Sequence, residues 1–203
     1  MSLTNGLPVR LRGCFLKKMA IALLAAAVLL GADFPGAVDA QSKHRPCSLL
    51  QVAELEAALG REVDDGLETD VPFTDGAYRG ETLSQCMWLW EGGAGTDFVL
   101  LKIIQAPQTA QQRTAWRGIL TGMDAVARGM GTGWAVESGR VGDAECVAAR
   151  APATATSARS VAGCALERKG LALWLELGGN PAVFKVTLQQ VGALLDKTAS
   201  RLP

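Results

Sequence analysis

Histidine is almost absent from this chain: His44 is the only one in 203 residues. A Ser-His-Asp or Cys-His site needs an imidazole held rigidly between nucleophile and orienting acid. His44 stands just ahead of Cys47, in a near-terminal stretch ill suited to that task. Close-set cysteine pairs are missing too. No C-x-x-C occurs, which argues against a thiol-oxidoreductase motif and against a cysteine-rich zinc site. Basic clusters are scarce beyond residue 40, and the formal net charge is +0, so nucleic acid is not an expected partner. The run Gly129–Gly133 follows a helical pattern and lacks the Lys and Ser/Thr of a phosphate loop. It is expected to stop that helix.

Long apolar runs are also lacking. The one uninterrupted stretch, Met19–Leu30, is shorter than the ~20 residues a permanent membrane helix needs. Arg10, Arg12, Lys17 and Lys18 precede it, and Gly31, Pro35 and Gly36 follow. That is the layout of a signal peptide, with small residues Val38 and Ala40 placed for cleavage before Gln41. Cys14 lies before the apolar run and Cys47 well beyond it, so neither suits lipid attachment. The expectation is an exported protein, periplasmic or secreted, with residues 1–40 as signal peptide and 41–203 as one domain. Loss of the four basic residues against Asp33 and Asp39 leaves that domain slightly acidic.

Four cysteines remain: Cys47, Cys86, Cys146 and Cys164. In an exported chain an even number points to disulfides, and with the thiols oxidised a thiolate nucleophile is not expected. Four cysteines allow three connectivities, and sequence does not choose among them. Pairing Cys47 with Cys86 and Cys146 with Cys164 is favoured, because each pair stays within one half of the chain.

Ser48 and Gln51 have capping-box spacing, and Leu49, Val52, Leu55, Ala58 and Leu59 recur at helical intervals, which predicts a helix over 48–59 ending at Gly60. Residues 61–85 lose periodicity and mix acids with Gly and Pro, predicting a short strand and then a mobile acidic loop. Cys86–Glu91 and Thr96–Ala106 read as a hairpin around Gly92–Gly95. Pro107 and a stripe including Ala110, Trp116, Ile119 and Met123 predict a helix to about 127. Four strands follow, at 134–137, 145–150, 160–168 and 171–177, with Lys169-Gly170 as the last turn. A final helix is expected from Asn180-Pro181 to about Arg201. The fold class is α+β: an antiparallel sheet with about three helices packed on it and two disulfides.

Two groups of residues carry what binding chemistry is visible. Trp88 and Trp90 share one face of a strand, and Trp174 opposes the Leu171–Leu177 row. As exposed indoles they would form a ligand-binding platform for sugar rings or an apolar partner; as covered indoles they are core, the commoner fate of tryptophan. Asp64, Asp65 and Asp70, in the acidic stretch 62–81, are candidates for docking a basic protein partner. That stretch lacks the ordered acids of an EF-hand loop, so no metal is assigned, and no cofactor is expected.

Pro46-Cys47-Ser48-Leu49-Leu50, then Ala53-Glu54 and Ala57-Ala58-Leu59-Gly60, then Gln85-Cys86-Met87-Trp88, make a recognisable series. Together with Gly139-Arg140-Val141-Gly142-Asp143-Ala144, they give a chain that resembles bacterial envelope proteins similar to the extracellular sensor domains of receptor-type serine/threonine kinases. The resemblance implies a disulfide-bonded α+β domain for binding or sensing in the cell envelope, and no catalytic residues. Two other functions are weighed beside it: an inhibitor or immunity-type protein that blocks an envelope protein, and a cell-wall hydrolase using a carboxylate pair such as could be drawn from Asp64, Asp70 and Glu91.

Overall fold

A computed structural model describes residues 44–91, 96–129, 133–154 and 159–203. The segment expected to be a signal peptide lies outside them. Among the described residues the chain forms four helices, α1 (Pro46–Leu49), α2 (Val52–Leu59), α3 (Ala110–Gly129) and α4 (Leu188–Ser200). It forms seven strands: β1 (Leu67–Pro72), β2 (Thr82–Glu91), β3 (Thr96–Gln105), β4 (Ala135–Val141), β5 (Ala144–Arg150), β6 (Ser160–Arg168) and β7 (Leu171–Gly179). They build one antiparallel sheet in the order β1-β2-β3-β7-β6-β5-β4. The fold is α+β as expected. None of these helices is long and apolar enough to cross a membrane.

Period-two alternation explains how the sheet is covered. Cys86, Trp88 and Trp90 on β2, Val99, Leu101 and Ile103 on β3, and the Leu171–Leu177 row on β7 all point to one face. There they meet Leu49 and Leu50, Leu55 of α2, and Val191, Leu194 and Leu195 of α4. Each fully buried leucine in this layer is worth about 1.5–3 kcal/mol. Ala172 and Trp174 point the other way. Trp116 of α3 packs against both, with Val147 and Ala165 completing the contact around Trp174. Buried on both faces, β7 occupies the middle of the sheet, whereas β1 at the edge is almost wholly exposed.

Both disulfides pair as favoured, Cys47 with Cys86 and Cys146 with Cys164. The first ties α1 to β2. The second joins directly opposed residues of β5 and β6. At the β6–β7 turn, Lys169 and Gly170 take φ values of 52° and 76°, the left-handed pair a two-residue hairpin demands.

Three expectations change. The helix over 48–59 is two helices, broken where Leu50 is extended. The capping role belongs to Gln51, whose backbone N–H donates to Glu54 Oε2 at 3.3 Å, while the Ser48 hydroxyl donates to the Arg45 carbonyl. The acidic stretch 62–81 is not a free loop beyond its strand. After β1 it closes in a turn in which the Gly80 N–H donates to the Phe73 carbonyl and the Phe73 N–H to the Glu81 carbonyl, both at 2.9 Å. Phe73 and Tyr78 dock this turn on Ile104 and Ala172, and the Tyr78 hydroxyl donates to the Gln112 carbonyl. Burial, with Glu167 and Glu81 nearby, pushes the Tyr78 phenol up from its ordinary pKa. Finally, α4 starts at Leu188 rather than at Pro181, because Thr187 and Gln190 form the capping box: the Gln190 N–H donates to Thr187 Oγ1 at 3.2 Å, and the Thr187 N–H to Gln190 Oε1 at 2.9 Å. Residues 180–187 are thereby left as a strap across one end of the sheet.

Candidate functional site

The strap forms one wall of a cleft. Gly60 makes the other wall possible, since its φ of 68° ends α2 in the left-handed region and its N–H donates to the Glu56 carbonyl at 2.8 Å. The chain then turns through Arg61 to Val63, which is buried, and the Asp64 N–H donates to the Leu89 carbonyl at 3.1 Å. The end of α2 is in this way stapled beside the end of β2. Across the gap, the Val183 and Phe184 N–H groups donate to the Asn180 carbonyl at 3.1 and 2.8 Å, curling the strap, and Arg150 donates to the Val186 carbonyl at 2.8 Å. Gln190 Nε2 donates to the Ala58 carbonyl, joining the first turn of α4 to the end of α2.

Trp90 and Asp97 face each other across the β2–β3 hairpin and reach this cleft. Asp97 is buried. Its Oδ1 accepts the Asn180 N–H at 2.9 Å, and Arg159 and Arg61 approach at 3.6 and 3.9 Å. It therefore ties the hairpin to the strap, to the turn after α2 and to the start of β6. A Cβ on Gly179 would meet Phe184 at 2.7 Å and Asp97 at 3.2 Å, so only glycine lets the strap lie this close. The cleft encloses about 540 Å³, walled by Ala58, Leu59, Val183, Phe184 and Val186, with Arg61, Lys185 and Asp97 as its ionisable groups. A second hollow of about 680 Å³ shares Trp90 and Arg61 with it and is lined by Glu56, Glu62, Val63 and Asp64.

The tryptophan platform is corrected. Trp88 and Trp174 are each only 1% exposed, on opposite faces of the sheet. Gly66 lies over Trp88, Gly163 lies against Trp174, and Trp174 Nε1 donates to Glu176 Oε2 at 2.9 Å. Helices cover both faces, so neither indole meets solvent. Trp90 is 6% exposed, yet it walls both hollows, and its Nε1 is buried with no hydrogen-bond partner among the described residues. The three acids also separate. Asp64 lines the second hollow, Asp65 is exposed beside it in sequence, and Asp70 is exposed on the edge strand opposite Ser84.

Sequence reasoning missed Arg61, Asp97, Lys185 and the strap. The signal for the strap was present in Thr187 and Gln190, whose capping-box spacing moves the helix start past Pro181. Asp97 carried a weaker one, as an acid directly ahead of the apolar run Phe98–Leu101 in its strand.

Among the described residues no group of three or more His, Cys, Asp or Glu side chains is arranged to hold a metal ion. No protein-family model matches the chain, and no curated protein matches it.

Proposed function

We propose that this protein is a non-enzymatic binding or sensing module of the bacterial cell envelope, and that its ligand enters the cleft between the end of α2 and the 180–187 strap. The cleft itself carries this reading: a concave, largely apolar hollow with a few fixed polar groups, of a size that holds small ligands. Export through residues 1–40 belongs to the same proposal. Two disulfides within the domain support it, as does the resemblance to envelope sensor domains.

The test is retention of envelope-extract components on the immobilised, oxidised protein, alongside Val183→Asp. Val183 is exposed, so this variant folds normally while placing a charge in the apolar wall. The expected result is a component held by the native protein and lost from the variant. Equal retention by both, or retention of nothing together with an unshifted melting temperature in every extract fraction, would refute the cleft as the site.

A second reading, an inhibitor-type protein that docks a basic partner, draws on the carboxylates Glu56, Glu62 and Asp64 of the second hollow. It requires one protein recovered at near-equal amount, with binding that weakens when Glu56, Glu62 and Asp64 are neutralised. Unchanged affinity in that triple variant excludes it.

A further inference from the structure

We infer that the ligand is a short apolar peptide with both ends free, its carboxylate held on the Lys185 side and its ammonium group on the Glu62 and Asp64 side. The inference rests on the proposed role of the cleft and specifies what fills it.

Charge is divided unequally between the two hollows. In the cleft beside the strap, Asp97 already accepts a backbone N–H and faces Arg159, which itself lies outside the lining, so its charge is met within the fold. What remains for a ligand is cationic: Lys185 is exposed and has no ion pair among the described residues, and Arg61 touches Asp97 only at 3.9 Å. In the second hollow three carboxylates stand against Arg61 alone. Glu56 is partly engaged by the Val63 N–H at 3.4 Å, whereas Glu62 and Asp64 are exposed and without ion pairs among the described residues. A ligand of one charge satisfies one hollow and is repelled by the other. A zwitterion satisfies both.

The body of the ligand follows from what lies along the cleft. Ala58, Leu59, Val183, Phe184 and Val186 offer apolar contact, which calls for aliphatic side chains. At the shared wall, the Trp90 indole N–H is buried and lacks a partner among the described residues. Buried donors ordinarily find acceptors, and a peptide carbonyl supplies one as the lining side chains give way around it.

The experiment titrates Leu-Leu and Leu-Ala-Leu into the oxidised protein in four forms: free, N-acetylated, C-amidated and doubly blocked. Calorimetry reads affinity, and the Trp90 indole N–H resonance, assigned with Trp90→Phe, reports the place of binding. The free peptide is expected to bind at least tenfold more tightly than either singly blocked form and to move that resonance. Lys185→Gln removes the advantage of a free carboxylate, and the pair Glu62→Gln and Asp64→Asn that of a free ammonium. Four forms binding equally, with the Trp90 resonance moving, overturn the zwitterion and leave the cleft as the site. No binding by any form, with that resonance still, overturns the peptide; the extract-retention result then decides separately whether the cleft binds something else.

Discussion

Glu54 and Arg201, 147 positions apart, meet in a two-point pair with N···O distances of 2.6 and 2.5 Å. Arg201 also donates to the Leu49 carbonyl, and Lys197 reaches the same carboxylate from α4. The chain thus locks its first helices to its last one. Glu54 is only 11% exposed, and Arg201, foremost among its partners, holds its carboxyl down at about 2, well below the ordinary 4.5.

Glu54→Gln tests this clasp through pH. A carboxyl with a lowered folded-state pKa contributes stability that is fully present above its unfolded value and is lost as pH falls through the folded one. The variant should be less stable by about 1–3 kcal/mol at pH 7, a value between those of exposed and buried pairs. The gap should narrow as pH drops from 4.5 towards 2. Urea denaturation of both proteins at pH 7, 4 and 2.5 checks it; a gap that stays constant would show that Glu54 acts through packing rather than charge.

Two glycines should behave unlike a third. A Cβ on Gly66 would lie 2.5 Å from Cys86 Sγ and 2.6 Å from Trp88 Nε1, and one on Gly163 would lie 2.7 Å from the Trp174 ring. Gly66→Ala and Gly163→Ala should each cost about 1–3 kcal/mol as large buried side chains are forced aside. Gly139→Ala on the edge strand meets nothing within 4 Å and should fall within about 0.5 kcal/mol of the native protein. Denaturation midpoints of the three variants provide the comparison.

Much of the sheet is legible in the sequence because period-two patterns identify strands without reference to what lies far away. Leu171–Leu177 alternates cleanly, and β6 runs from Ser160 to Arg168 as expected. The site is less legible for a physical reason. Trp90, Asp97, Arg61 and Lys185 come from four separated segments, and only the strand order, with β3 beside β7, brings the hairpin next to the strap. Nor does alternation say whether a face is covered. Trp88 and Trp174 lie on opposite faces, as the pattern requires, but their burial depends on α4, α1 and α2 covering one side and α3 the other.

The disulfides should differ in worth by the loops they close. Cys47 and Cys86 are separated by 39 positions and Cys146 and Cys164 by 18. Loop-closure entropy assigns about 4 kcal/mol to the first and about 3 kcal/mol to the second. Paired Cys→Ala variants under equilibrium urea denaturation measure each. A larger loss from the Cys146–Cys164 pair would show that strand register, rather than chain entropy, governs the outcome.

Asp97 offers the sharpest separation between a group that holds the cleft and groups that merely line it. Its carboxylate is buried, accepts the strap's first N–H and faces two arginines that remain about one-third exposed. Asp97→Ala removes a buried acceptor and should cost about 3–5 kcal/mol, as expected when one side of a buried charged contact is deleted. Arg61→Gln removes a 3.9 Å contact at the surface and should cost about 0–1 kcal/mol. Hydrogen exchange distinguishes the two further. The Asn180 and Phe184 amides should lose protection in Asp97→Ala, because the strap is anchored through the Asp97 carboxylate, but keep it in Arg61→Gln. If both variants expose those amides equally, Arg61 holds the strap as much as Asp97 does, and the cleft depends on a residue placed to meet ligand.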